Sequence, residues 1–135
     1  MKGASSLSRV VLDTNILVSA LFWEGNEREI LRKCRAGDHC SITSPQILEE
    51  LERVLLRKFE VPKEKVDMYA REVLLFSEIV FPKGGIAAVK EHPADDLILE
   101  TGILGKADLI VTGDKHLLEL KRYENMEIRK AGSWG

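Results

Sequence analysis

The segment RVVLDTN, residues 9–15, predicts a buried β-strand that ends at an aspartate and runs into a helix. The run Arg9–Leu12 is rich in valine, as is typical of a strand in a parallel sheet that is covered on both faces. Asp13 and Asn15 offer side chains that can cap a following helix, which we expect to extend to about Phe22. An acidic side chain is therefore predicted at the carboxyl end of the first strand.

A second segment, ADLIVTGD at residues 107–114, repeats this arrangement near the other end of the chain. Leu109–Thr112 is the clearest strand in the sequence, and Asp114 follows it at the start of a short helix. Carboxyl ends of parallel strands meet at one edge of a sheet, and ligands bind there where the strand order switches. Asp13 and Asp114 should therefore face the same crevice.

The remaining apolar runs alternate with amphipathic ones, which predicts strand–helix units around a parallel sheet. Further strands are expected at 40–43, 79–81 and 126–128, and further helices at 27–37, from 45, at 63–76 and at 94–104. Right-handed crossovers then give an α/β fold, a three-layer α/β/α sandwich with a central, mainly parallel sheet and the first strand in its middle. The segment between 82 and 93 shows no regular pattern.

Composition sets limits on the function. The 135 residues fit one domain spanning 1–135, with a net charge of -2 and an isoelectric point near 6.0. A nucleic-acid ligand would therefore need local basic patches or a bound metal ion. The sequence shows no apolar run of the ~20 residues that a membrane span requires, and no signal peptide, so a cytoplasmic protein is expected. Cys34 and Cys40 match neither a zinc-site pattern nor a disulfide framework.

Helical geometry separates Glu50 from the other acids of the helix that begins at Pro45. With residues spaced at about 100°, the apolar face runs from roughly 340° to 100° around the helix axis. Glu49 then lies at roughly 200°, on the solvent side, whereas Glu50 lies at roughly 300°, at the border of the buried face. Glu50 can therefore lean over the edge of the sheet, where Asp95 and Asp96 also begin a predicted helix.

Taken singly, Asp13, Asp95, Asp96 and Asp114 can each be explained as helix caps. Together with Glu50 they would repel one another unless protons or a cation compensate. Oxygen ligands without Cys or His favour Mg²⁺ or Mn²⁺ over zinc. Such an ion could support hydrolysis of a phosphodiester.

Four segments in this order resemble the motif regions of PIN-domain proteins, and especially the VapC-like toxin components of toxin–antitoxin pairs. They are VVLDTN, SPQILEELERVL, PADDLILETG and ADLIVTGDKHLL, and the resemblance extends from about Arg9 to Ile128. HPADD carries His92 where a frequent form of the motif has an acid. The resemblance implies a Mg²⁺- or Mn²⁺-dependent ribonuclease, acting as a toxin or in RNA processing or turnover.

The same resemblance implies that Asp13, Glu50, Asp95 and Asp114 are the catalytic and metal-binding residues. It also implies auxiliary roles for Asn15, Asp96 and Thr112, which would orient carboxylates or water. The partners that it implies are an RNA substrate, an antitoxin protein and a second copy of the chain in a homodimer. Apolar side chains in excess of what one small sheet needs also favour the homodimer; they are Leu17, Leu21, Phe22, Tyr69, Val73 and Phe76.

Two other classes of protein remain open. A receiver-like signalling module also places acids at strand ends, but it needs a phosphoacceptor where the third predicted strand ends in Phe81-Pro82. A PIN module that binds RNA or protein without catalysis is the other, although carboxylates that repel phosphate do not suit RNA binding alone. The histidines are expected as exposed loop residues, and neither they nor Trp23 and Trp134 are assigned to the site.

Overall fold

The computed structural model describes residues 7–86 and 92–134 of the chain. The strands are β1 (Ser8–Leu12), β2 (His39–Thr43), β3 (Ser77–Ile79), β4 (Leu109–Val111), β5 (Arg122–Tyr123) and β6 (Met126–Arg129). The helices are α1 (Thr14–Phe22), α2 (Asn26–Ala36), α3 (Pro45–Arg57), α4 (Lys63–Leu75), α5 (Pro93–Leu104), α6 (Lys115–Leu120) and α7 (Ala131–Trp134).

Within the described residues the strands form one six-stranded sheet in the order β3-β2-β1-β4-β6-β5. All neighbouring pairs are parallel except β5 and β6. Val11 of β1 aligns with Ile42 of β2 on one side and Ile110 of β4 on the other, and all three are fully buried. Burial on both faces explains the continuous apolar run of β1. The α/β sandwich with a mainly parallel sheet and a central first strand is confirmed.

Helix caps place polar residues along one edge of this sheet. Asp13 is the N-cap of α1 directly after β1, and Asp114 is the N-cap of α6 shortly after β4. Ser44 follows β2 and accepts a hydrogen bond from the backbone N–H of Ile47, with Pro45 in the first turn of α3. Three helices thus begin beside one another at the carboxyl ends of β1, β2 and β4.

Close packing fixes α5, whose first turn carries Asp95, against the sheet. A side chain on Gly105 would overlap Ile42 of β2, and one on Gly102 would overlap Met126 of β6. These glycines allow the carboxyl end of α5 to approach the strands closely.

One predicted strand lies at a different position in the structure, and one short strand was not predicted. The third strand was expected at 79–81 and lies at Ser77–Ile79, where the Ser77 hydroxyl donates to the hydroxyl of Ser41 in β2. The apolar residues that suggested the later position include Phe81, which is 62% exposed. The two-residue strand β5 was not predicted, because so short a strand has no hydrophobic period.

The apolar side chains that favoured a homodimer are partly accounted for by the monomer. Leu17, Tyr69 and Val73 belong to its buried core, and the Tyr69 hydroxyl donates to the carbonyl of Leu17 at 2.6 Å. Leu75 and Phe81, near the edge strand β3, are more exposed. No helix among the described residues is both long enough and apolar enough to cross a bilayer.

Candidate active site

A cleft of about 390 Å³ lies at the edge of the sheet where α1, α3, α5 and α6 begin. The four acids predicted for the site all line it: Asp13, Glu50, Asp95 and Asp114. Asn15 lines it as well, from the first turn of α1, whereas Asp96 is not among the described lining residues. The structure therefore brings the four predicted catalytic acids and one of the auxiliary residues to a single cavity.

Thr112 connects two of these acids through its hydroxyl group. The hydroxyl donates to Oδ2 of Asp13 at 2.7 Å and accepts the backbone N–H of Asp114 at 2.9 Å. A hydroxyl has one proton to donate, so its donation to Asp13 and its acceptance from Asp114 define one orientation of the group. Thr112 is fully buried, which holds this chain of hydrogen bonds away from solvent. The auxiliary role of Thr112 stays a prediction, and its hydroxyl is placed to orient Asp13.

Asp13 is buried and held by its neighbours. Its Oδ1 accepts the backbone N–H of Thr14 at 2.7 Å, in addition to the bond from Thr112. Burial raises the pKa of Asp13 above its ordinary value, and the charge of Asp114 adds to the rise. The bonds from Thr112 and Thr14 act in the opposite direction because they favour the charged carboxylate. Asp13 is thus a fixed carboxyl group whose charge is disfavoured.

Asp95 lies in the first turn of α5 and is 8% exposed. Burial is the largest cause that raises its pKa, followed by the negative charges of Asp114 and Asp13. The fields of His92 and His116 lower the pKa by a smaller amount. These three aspartates are therefore close enough to influence one another electrostatically.

The two histidines form a stacked pair next to Asp95. The rings of His92 and His116 lie 3.9 Å apart between centroids and 24° from parallel, and both residues are half-buried. The prediction that they are exposed loop residues was wrong for this pair. His92 is the N-cap of α5 and His116 lies in the first turn of α6, so the stacking depends on the packing of two helix starts.

Glu50, the predicted site residue on α3, has a positively charged neighbour. Glu50 is half-buried and forms an ion pair with Arg53 on the next turn, and both residues line the cleft. Glu49, expected on the solvent side, is exposed but also borders the cleft. Arg53 was not predicted; its position three residues after Glu50 is the sequence signal that could have identified it.

The segment that follows β3 is hydrogen-bonded to both α3 and α5, two of the helices that line the cleft. The amide of Gln46 on α3 donates to the carbonyl of Pro82 at 3.1 Å. Glu100 on α5 accepts the backbone N–H groups of Lys83 at 2.7 Å and Gly84 at 2.8 Å, and these bonds lower the pKa of Glu100. This buried acid is therefore held as an anion by the backbone and serves to fix the segment.

The donor atoms fit a hard divalent cation, because Asp13, Asp95, Asp114 and Glu50 supply only oxygen ligands. Within residues 7–86 and 92–134, however, no group of three or more His, Cys, Asp or Glu side chains is arranged to hold a metal ion. Mg²⁺ is commonly bound through one or two carboxylates with several waters retained. The chemistry of the cleft thus suits such an ion, and the ligand set remains a prediction.

Comparison with known proteins identifies the family. The family model described as PIN domain matches residues 9–116, which is most of the chain, so this protein belongs to the PIN-domain family. No curated protein sequence is significantly similar to the chain. A similar fold is found in the crystal structure of VapBC2 from Rickettsia felis, which is bound to a DNA fragment from the promoter of these proteins. That match has a TM-score of 0.63 and 21% sequence identity, and it covers 90% of this chain and 98% of the other.

Proposed function

We propose that this protein, as one domain of residues 1–135, is a Mg²⁺- or Mn²⁺-dependent endoribonuclease. The observation that carries the proposal is the convergence of Asp13, Glu50, Asp95 and Asp114 in one cleft at the carboxyl ends of the strands. Raised pKa values at Asp13 and Asp95 support it, since such carboxylates are stabilised by a nearby cation. A divalent ion bound there would polarise a phosphodiester and make water more acidic.

The side chains of the cleft have separate tasks in this proposal. Asp13, oriented by Thr112 and Thr14, presents a fixed carboxylate to the ion. Asp114 uses Oδ1 to cap α6, through the backbone N–H of His116 at 2.8 Å, which fixes the direction of its carboxylate. Asp95 completes the acidic wall from the opposite helix. Asp13 and Asp114 are thus positioned before substrate binds by the hydrogen bonds that their carboxylates accept.

Glu50 and Arg53 act from the other side of the cleft. Arg53 holds Glu50 through their ion pair and also places a positive charge within reach of an RNA phosphate. Glu50, at the border of the buried face, can accept a proton from an attacking water. The pair therefore suits the binding and orientation of substrate.

The proposal predicts cleavage of RNA that depends on a divalent cation. Purified protein should cleave a labelled single-stranded RNA in Mg²⁺ or Mn²⁺, and EDTA should abolish the reaction. A mock preparation from cells that lack the gene serves as the control for contaminating nucleases. Cleavage that persists in EDTA would contradict the metal dependence, and binding without any cleavage would favour the non-catalytic PIN module instead.

We also propose that the chain has a protein partner. VapBC2 from Rickettsia felis has a similar fold, and its structure contains a DNA fragment from its own promoter. By this likeness the chain would be the toxin of a toxin–antitoxin pair, with an antitoxin as its partner. The alternative biological role is RNA processing or turnover, and a cytoplasmic location remains a prediction from the sequence.

A homodimer is the second assembly that we propose. Leu75 is 81% exposed and Phe81 62% exposed, and both lie near β3, whose outer edge ends the sheet. Exposed apolar residues beside an open strand edge favour association. Light scattering should give about 30 kDa, twice the 15.2 kDa of one chain. A mass of one chain at every concentration tested would refute the dimer.

A further inference from the structure

A second cavity adjoins the candidate active site and has no role in the function proposed above. It has a volume of about 380 Å³, within the ~300–1,000 Å³ range of ligand pockets. We call it the side pocket and define it by Ile16, Glu27, Thr112, Gly113, Lys130 and Ala131, which line it. It lies where the starts of α2 and α7 meet the turn between β4 and α6.

The side pocket and the acidic cleft share a wall. Thr112, whose hydroxyl donates a hydrogen bond to Asp13 in the cleft, lines the side pocket. In the first turn of α1, Asn15 lines the cleft while Ile16 lines the side pocket. A ligand that extends beyond the acids on this side therefore reaches the side pocket directly.

Gly113 leaves the surface between the two cavities free of a side chain. It is exposed, and it stands between Thr112 of the side pocket and Asp114 of the cleft. A side chain built on Gly113 would meet no atom within 4 Å. The backbone there is thus accessible to a chain-like ligand that crosses from one cavity to the other.

The lining of the side pocket combines an apolar floor with two charges. Ile16 and Ala131 are buried and provide the apolar surface. Glu27 and Lys130 also line the pocket, and among the described residues neither forms an ion pair. A ligand that matches this lining has an apolar surface, hydrogen-bond donors for Glu27 and a negative charge for Lys130.

We infer that the side pocket binds one nucleotide of a single-stranded RNA, next to the phosphate held in the acidic cleft. Lys130 would pair with the phosphate of this nucleotide, and Glu27 would accept hydrogen bonds from its base. Guanine fits best, because its Watson–Crick edge presents two neighbouring N–H donors that a carboxylate can accept together. The inference rests on the proposed function, since it assumes an RNA ligand.

Binding measured in EDTA tests the inference without cleavage. Fluorescence anisotropy of a labelled oligoribonucleotide should give a severalfold weaker Kd for Lys130→Ala. The slope of log K against log salt, which is negative, should become less steep by about 0.7, as expected when a single strand loses one phosphate contact. Lys65→Ala, at an exposed lysine of α4, is the matched control and should change neither quantity.

Base preference tests the role of Glu27. In a set of oligonucleotides that differ at one position, wild type should prefer guanine to adenine by at least about 5-fold, as a bidentate contact provides. Glu27→Gln should remove this preference, because an amide has one acceptor oxygen instead of two. Glu64→Gln on α4 is the matched control and should keep the preference.

The outcomes separate the side pocket from the nuclease proposal. If wild type cleaves RNA in Mg²⁺ but Lys130→Ala and Glu27→Gln bind as wild type does, the side pocket assignment is wrong and the nuclease proposal stands. If the variants change binding as expected but no RNA is cleaved, the side pocket is supported and the nuclease proposal fails. A wild-type protein that neither binds RNA in EDTA nor cleaves it in Mg²⁺ overturns both.

Discussion

Replacing Asp114 by asparagine should lower the rate of RNA cleavage by about 100-fold or more. A ligand to a catalytic ion contributes several kcal/mol to the stability of the transition state, and each 1.36 kcal/mol corresponds to about a factor of ten in rate. Asparagine keeps the oxygen that accepts the N–H groups of His116 and Leu117, so the cap of α6 should survive. The loss should therefore appear in cleavage, without a fall in the melting temperature.

Asp13→Asn should have a comparable effect on cleavage, since Asp13 lines the same cleft and is held by Thr112 and Thr14. The measurement is the initial rate of cleavage in saturating Mn²⁺, with thermal melting as the check on folding. Asp67→Asn is the matched control, because Asp67 lies on α4 and pairs with Lys63 outside the cleft. A folded Asp114→Asn protein that cleaves at the wild-type rate would remove Asp114 from the catalytic set.

Asp95→Asn should stabilise the protein in the absence of metal ions. Burial and the charges of Asp114 and Asp13 disfavour the Asp95 carboxylate, and asparagine removes that charge at nearly constant shape. Relief of one unfavourable charge contact commonly contributes about 0.5–2 kcal/mol to the free energy of unfolding. Asparagine can also cap a helix start, so the first turn of α5 should be retained. Thermal melting in EDTA at pH 7 measures the difference.

The pH dependence of this effect has a definite sign. The pKa of Asp95 is raised in the folded state, so the folded protein holds the proton more tightly than the unfolded chain does. The stability that this proton contributes is fully present below the unfolded pKa, near 3.9, and is lost as the pH rises through the folded pKa. The stabilisation by Asp95→Asn should therefore be complete at neutral pH and should diminish on acidification.

Magnesium provides the second comparison for Asp95. An ion that binds the folded cleft and not the unfolded chain should stabilise wild type, and it should stabilise Asp95→Asn less because one ligand is neutral. Four melts at pH 7 suffice, with each protein in EDTA and in Mg²⁺. A variant that melts below wild type in EDTA would show that favourable contacts hold Asp95, contrary to the picture of crowded carboxylates.

Those features of the site that depend on local sequence could be predicted. Asp13 and Asp114 each follow a strand with a clear apolar pattern. The sequence therefore predicted both where each strand ends and that an acidic side chain lies at that end. The position of Glu50 could be predicted from helical periodicity, because residue spacing fixes its angle to the apolar face of α3. The family likeness then distinguished Asp95 from Asp96, since both begin the same predicted helix and either could be a cap.

Features that depend on tertiary contacts could not be predicted. The stacking of His92 on His116 requires that the starts of α5 and α6 lie side by side, which neither segment encodes alone. Glu100 reads as an ordinary helical acid, yet it accepts backbone N–H groups from Lys83 and Gly84 in another part of the chain. The start of β3 was misplaced because polar Ser77 and Glu78 form this edge strand, whereas its apolar neighbours lie beyond it.

The hydrogen bond from Thr112 to Asp13 also has a consequence for biosynthesis. The two residues are 99 positions apart, and the bond depends on the pairing of β1 with β4. Synthesis proceeds from the amino terminus, so β1 and β2 can pair while the residues of β4 have yet to be added. Asp13 gains its hydroxyl partner, and Asp114 joins it, only after most of the chain has been translated. A nascent chain on the ribosome thus passes most of its elongation without the complete acidic cleft.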